Sequence, residues 1–297
     1  MNRCESCRTI STCPVCGTGA TSFRHIGVRG TTSRLRIPII DYNITYDQHP
    51  SGIWHYSQPC NHRIRPLATS SIAKYNGGPI WRDGYSWQNI YWGTFYAKPS
   101  SAQWVSRLEL AVAHIESDAS YSGGLRQYNV GIGKLIGPIT IGQDPPAQLS
   151  NDQIGKALTS WIGDGTVTNL GGSGAYNIFL PSGTTASLSG DLSCGSFCDF
   201  HDTANGASGP FYTLEPYPCA QGCNQCSNDR FDTLTQGLSE EMVELKTDMD
   251  PGTGWVIGNE ELCDYCDTNF VCNRISTGEY VNSWYDRNKN ACWIGQK

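Results

Sequence analysis

Fourteen cysteines in 297 residues are the tightest constraint on what this chain can fold into. They fall in clusters: Cys4, Cys7, Cys13 and Cys16; Cys194 and Cys198; Cys219, Cys223 and Cys226; Cys263, Cys266 and Cys272; Cys60 and Cys292 stand apart. Thiols at this density survive in the reducing cytosol only when they bind metal, so the set points to a secreted, extracellular protein with up to seven disulfides. The first cluster, Cys-x2-Cys-x5-Cys-x2-Cys, could bring four thiolates onto one zinc, but in a secreted chain that spacing reads as a disulfide knot. Asn43-Ile44-Thr45 is a glycosylation sequon on Asn43 and leans the same way. The opening MNRCESCRTI has no apolar core of a signal peptide, so a secreted chain is expected here in mature form or without its leader. No run approaches the ~18 apolar residues of a membrane span.

Charge divides the chain. Residues 1–75 carry nine Lys or Arg against Glu5, Asp41 and Asp47, a net of +6, and the remainder carries 12 basic and 24 acidic residues, a net of −12. A basic segment on an acidic body predicts mutual attraction, either within a chain or between chains as a homo-oligomer or polymer. The acidic body repels phosphates, so nucleic acid is not an expected partner. Arg34–Tyr46 (RLRIPIIDYNITY) reads as extended and apolar-studded, and Pro38 keeps it off a central strand. Such a segment adds to a neighbour's sheet edge or wraps its own body. Gly77-Gly78-Pro79 marks the boundary between an arm, 1–75, and a body, 76–297.

Within the body the period alternates. Trp87–Tyr96 reads as a buried strand, and Ser100–Ser117 as a helix with Trp104, Leu108, Val112 and Ile115 on one face. Gly131–Gly142 reads as a strand, Asn151–Trp161 as a helix with Ile154, Leu158 and Trp161 inward, and Ala175–Leu180 as a strand ended by Pro181. Short strands are expected at Cys198–His201, Phe211–Leu214 and Tyr280–Trp284. The order predicts an α/β fold. Phe231–Pro251 follows as an amphipathic helix: Leu234, Leu238, Met242 and Leu245 repeat at helical spacing, and Asp250-Pro251-Gly252 breaks it. Its other face gathers Glu240, Glu241, Glu244 and Asp248. A zinc-hydrolase helix needs ligands at i and i+4 and a general base at i+1, and here the first ligand position holds Glu240 instead of histidine.

From Gly77 onward these residues resemble a family of secreted bacterial proteins with a zincin-type helix, distantly related to the plant exordium or phosphate-induced proteins. The matching positions are Gly77-Gly78, Tyr91-Trp92-Gly93, Tyr176 to Pro181, and Cys198-Asp199-Phe200-His201. The helix matches at Leu234, Thr235, Ser239, Glu241, Glu244, Thr247, Asp248, Asp250 and Pro251, and departs from the pattern at Glu240 and Met249. Beyond it Gly254-Trp255, Glu261, Asp264, Cys266, Val281, Trp284 and Cys292 fall in family places. The resemblance implies a zincin-like twisted sheet with packed helices and disulfide-rich loops; the extended N-terminal arm, residues 1–75, lies outside it. If the site is active, Glu241 is the general base, and Glu244 with Asp264 or Glu261 completes the ligands. With Glu240 in place of histidine no competent zinc site and no cofactor is expected. The alternative is Ca2+ or Zn2+ at the Glu240/Glu244 site, since clustered carboxylates suit a hard cation.

Three functions follow. The favoured one is a pseudoenzyme with an extracellular structural or assembly role, self-associating through its arm. The second is a secreted metal-dependent hydrolase with a changed metal. The third, from nine Trp and fifteen Tyr, is a protein that binds cell-wall polysaccharide, although most of those rings are expected in the core. His49, His55 and His62 read as solvated loop residues, and His114 and Glu116 as surface or satisfied positions. His201, on a strand expected beside the Phe231 helix, is a further candidate ligand. No nucleophile elbow or phosphate-binding glycine loop is present.

Overall fold

A computed structural model describes residues 46–48, 54–56, 73–218, 223, 226–267 and 272–295. Cys4, Cys7, Cys13, Cys16, Cys60, Cys219, Asn43, His49 and His62 lie outside the described residues. The chain divides into two units, Met1–Thr21 with Gly30–Ala68, and Ser22–Arg29 with Thr69–Lys297. In the first, strands β1 (Tyr46–Gln48) and β2 (Trp54–Tyr56) pair antiparallel, Tyr46 opposite Tyr56.

The second unit is a mixed α/β structure. It opens with β3 (Lys74–Tyr75), β4 (Ser86–Trp92), α1 (Thr94–Ala97), α2 (Ala102–Ser117), β5 (Lys134–Ile141), β6 (Gln148–Ser150) and α3 (Asn151–Gly163). Next come β7 (Gly174–Phe179), β8 (Thr185–Leu188), β9 (Asp191–Leu192), β10 (Phe200–Thr203), β11 (Phe211–Glu215) and α4 (Arg230–Thr247). The tail holds β12 (Trp255–Val256), α5 (Asp264–Asp267), β13 (Asn273–Arg274), β14 (Tyr280–Val281), β15 (Tyr285–Asp286) and β16 (Ala291–Cys292). β3 pairs with β12, so residues 74 and 75, expected in the arm, are stitched to the tail of the body.

The central sheet has the order β10-β11-β7-β4-β5. β5, β4, β7 and β11 run parallel, and β10 closes one edge antiparallel to β11. Every residue of β4 is buried, as a strand covered on both faces must be. Alternation sorts its side chains: Trp87 and Tyr91 join the core with α2 and α4, and Ile90 and Trp92 join the core with α3. The result is three layers, with the sheet between α3 and the α2/α4 pair. The strand expected to reach Tyr96 stops at Trp92, because Gly93 takes φ 118° and turns the chain into α1. Pro138 sits within β5, where an edge strand tolerates a missing N–H.

Helix α4 is the structural axis. Asp229 caps it by accepting the Phe231 and Asp232 amides at 2.8 and 3.3 Å. It ends at Thr247, four residues short of the expected Pro251, because the Asp248 carboxylate gathers the amides of Gly252, Thr253 and Gly254 at 2.7, 3.0 and 2.6 Å. From Thr233 to Met249 every residue is buried, so the acidic face lies in the interior together with the apolar one. Lys246 is neutralised there by Glu116, at 3.0 and 3.1 Å to its two oxygens, and Glu116 also accepts from Trp87 Nε1 and the Gly133 amide. Glu116 is thus a satisfied interior partner, and the half-exposed His114 pairs with Glu279 at 2.6 Å.

Three disulfides tie the loops, Cys198–Cys223, Cys226–Cys272 and Cys266–Cys292, and Cys194 is disulfide-bonded as well. Closing loops of this length, each of the three bridges restricts the unfolded chain by ~3–4 kcal/mol in the chain-entropy account. Cys263 corrects the expectation that every cysteine is bridged: it is a free, buried thiol. It packs in the α2/α4 core with its Sγ 3.9 Å from the Glu240 carbonyl, while Cys266, one turn on, meets Cys292. Burial pushes its pKa up, so it is unreactive while folded. Alkylation of the non-reduced protein should therefore label Cys263 only after unfolding, read by peptide mass spectrometry. Recovery of Cys263 in a disulfide-linked peptide contradicts this assignment.

Candidate metal centre

A polar row crosses the α2/α4 face of the sheet. His201, Thr213, Asn177 and Asn89 occupy matching register positions on β10, β11, β7 and β4. Thr213 Oγ1 donates to Asn177 Oδ1 at 3.1 Å, and Asn177 Nδ2 to Asn89 Oδ1 at 2.7 Å. Asn89 Nδ2 and the Tyr91 hydroxyl both donate to Glu109 Oε1, at 2.6 and 2.8 Å. Alternation in β10 sends Phe200 to the α3 core and His201 to the opposite face, beneath α4.

There His201 meets the acidic face of the helix. Its Nδ1 lies 3.0 Å from Glu241 Oε2 and 3.9 Å from Glu244 Oε2, and its Nε2 lies 3.1 Å from the Asp248 carbonyl oxygen. A carbonyl only accepts, so Nε2 carries a proton, and in the neutral ring that burial favours Nδ1 turns a lone pair toward two carboxylates. Three acceptors facing one another repel unless a proton or a cation lies among them. Glu261 Oε1 makes no hydrogen bond and sits 3.6 Å from Nε2.

Glu244 belongs to two groups. With His201 and Glu241, and again with Glu240 and Asp264, it offers donor atoms that all lie within 4.8 Å of one another. The Asp264 amide donates to Glu244 Oε1 at 3.2 Å, so this carboxylate spans both sets. The residues expected at the site, Glu240, Glu244, Asp264, Glu261 and His201, converge around Glu244, and Glu241, expected as a base, stands among the donors. Only Asp264 of these six is half-buried; the others are interior.

Burial dominates the electrostatics. It holds the carboxyls of Glu215, Glu240, Glu241, Glu244 and Glu261 well above the usual range, reinforced by their mutual repulsion. The same desolvation lowers His201 to about 4 and lifts Asp248 to about 6. Asp199 hydrogen-bonds Glu241 and raises it further. The room for Asp199 comes from Gly237, where a Cβ would sit 1.5 Å from Asp199 Oδ2, and this accounts for a glycine in mid-helix.

Asp199 and Glu215 escape sequence reasoning as members of the site, and Asp248, expected on the acidic face of the helix, escapes it in the role it takes. Asp248 acts through its backbone carbonyl, which no side-chain pattern reveals. Glu215 carries a signal in hindsight, as an acid closing the otherwise buried strand FYTLE. Comparison with family models, curated proteins and solved structures found no match, so function rests on the geometry.

The shifts predict how the metal-free protein responds to pH. A glutamate whose folded pKa lies above its unfolded value near 4.5 contributes stability below that pH and loses it as pH rises through the folded value, at ~1.4 kcal/mol per unit per group. His201 acts oppositely, contributing fully above 6.5 and progressively less toward 4. Six raised carboxyls outweigh one imidazole. The urea midpoint of chelator-treated protein should be higher at about pH 5.5 than at about pH 8; equal or reversed midpoints contradict the buried-acid account.

Proposed function

We propose that this chain is an extracellular structural or assembly protein, built on a zincin-like body that no longer performs hydrolysis. One observation carries the proposal: the side chains of His201, Glu241 and Glu244 are each only 2% exposed. A hydrolytic metal site keeps an open position for water and substrate, whereas a closed one serves stability. Glu241, the residue that a hydrolase with this helix would use as base, is engaged by His201 and Asp199. Glu240 stands where such a helix carries its first histidine. The disulfides support an oxidising, extracellular setting.

The assembly role is supported by charge: a segment of net +6 in the same chain as a remainder of net −12 favours head-to-tail contacts between copies. Such contacts weaken as salt shortens the screening length from ~8 Å at physiological ionic strength to ~3 Å at 1 M. Sedimentation velocity on the full chain should show oligomers at low salt that dissociate toward monomer at high salt. In parallel, a peptide-library digest should show no cleavage. Cleavage abolished by Glu241→Gln would establish the hydrolase instead, and a monomer at every salt concentration would remove the assembly role.

A further inference from the structure

We propose that His201 Nδ1, Glu241 and Glu244 bind one zinc-class divalent cation, with the imidazole arriving from strand β10 in place of the helix position occupied by Glu240. The inference goes beyond the assembly role and is tested separately from it.

Geometry comes first. Donors on one tetrahedral zinc, at bonds near 2.0–2.1 Å, stand ~3.3–3.5 Å apart. The separations of Nδ1 from the two glutamate oxygens, 3.0 and 3.9 Å, bracket that value, and all three donor atoms fall within 4.8 Å of one another. The second observation is the tautomer. With Nε2–H spent on the Asp248 carbonyl, a neutral ring turns its Nδ1 lone pair toward the acids, the form in which imidazole ligates metal. A ring N–H anchored on a backbone carbonyl is the usual support of a metal-bound histidine.

The remaining surroundings fit the same ion. Asp199 holds Glu241, and the Asp264 amide holds Glu244, so each carboxylate has a partner outside the triad. A cation would balance the charge of this cluster in place of the protons that its buried acids otherwise hold. The buried Lys246 of α4 is already paired with Glu116, and a divalent ion neutralises two carboxylates at once. Glu261 Oε1, buried and without a hydrogen bond, borders the triad beside the ring. A mixed nitrogen and oxygen donor set favours zinc over calcium, which takes oxygen shells. The ion would tie β10 to α4 and, through Glu244, to the start of α5 at Asp264, as a staple between the sheet edge and the helix.

The test uses the intact chain, stripped with chelator and titrated with zinc chloride. One zinc per chain is expected by elemental analysis after dialysis, and its X-ray absorption spectrum should contain one imidazole among oxygen donors. His201→Gln and Glu244→Gln should each weaken zinc binding by at least ~100-fold, while Glu240→Gln stays within about threefold. Calcium at about 1 mM should not displace the zinc. No zinc retained, or a shell without imidazole, overturns the site and leaves a shared proton in the ion's place. Equal loss in Glu240→Gln and His201→Gln, or displacement by calcium, overturns it in favour of the Glu240–Glu244–Asp264 group. If His201→Gln does not fold, the absorption spectrum of the wild-type protein still decides. Zinc bound together with peptide cleavage would refute the non-hydrolytic role alone, and absence of zinc would refute this site alone.

Discussion

The body depends on the burial of one helix whose polar face is acidic. An isolated carboxylate moved into a protein interior costs several kcal/mol, so groups like Glu240, Glu241, Glu244 and Glu261 persist there only if something compensates them. On the side facing α2 the compensation is direct, since Lys246 and Glu116 neutralise each other and Trp87 completes the set. On the side facing β10 it is His201, a neutral ring oriented by the Asp248 carbonyl, among acids that hold protons or a cation. Apolar packing around Leu238, Met242 and Leu245 holds this arrangement in place.

Several unusual local features serve that helix. Gly237 gives up helix propensity of ~1 kcal/mol so that Asp199 can approach Glu241. Asp248 stops the helix by collecting three amides, which also fixes the carbonyl that orients His201. The polar row Asn89–Asn177–Thr213 crosses the sheet face between His201 on β10 and Glu109, with Thr213 donating to Asn177 and Asn177 to Asn89. Disulfides from Cys198 and Cys266, beside β10 and within α5, tether the segments that present His201 and Asp264. Loop crosslinks and interior electrostatics therefore act on the same place.

Much of the fold was legible because periodicity reports burial. The run WQNIYWGTFY, the Trp104–Leu108–Val112–Ile115 stripe and the Leu234–Leu238–Met242–Leu245 stripe each led to the right element, with errors of a few residues at ends set by Gly93 and Asp248. The site was legible in its members but not in its arrangement. Glu240, Glu241 and Glu244 stand out on one helix face, yet the pattern alone does not say whether that face meets water or a sheet. His201 gave only a weak signal, because a single histidine on a four-residue strand has no period.

By itself the sequence determined the alternation of strands and helices, the crowding of acids on one helix face and the crosslinking capacity of the chain. These are properties of composition and of spacing along one element. Only the tertiary structure decided that the acidic face is interior, that β10 lies beneath it with His201 toward Glu241 and Glu244, and that Cys263 stays unbridged. The reason is physical: these facts depend on which elements pack together, and packing joins residues forty or more positions apart, such as His201 and Asp248, through contacts that no local pattern encodes.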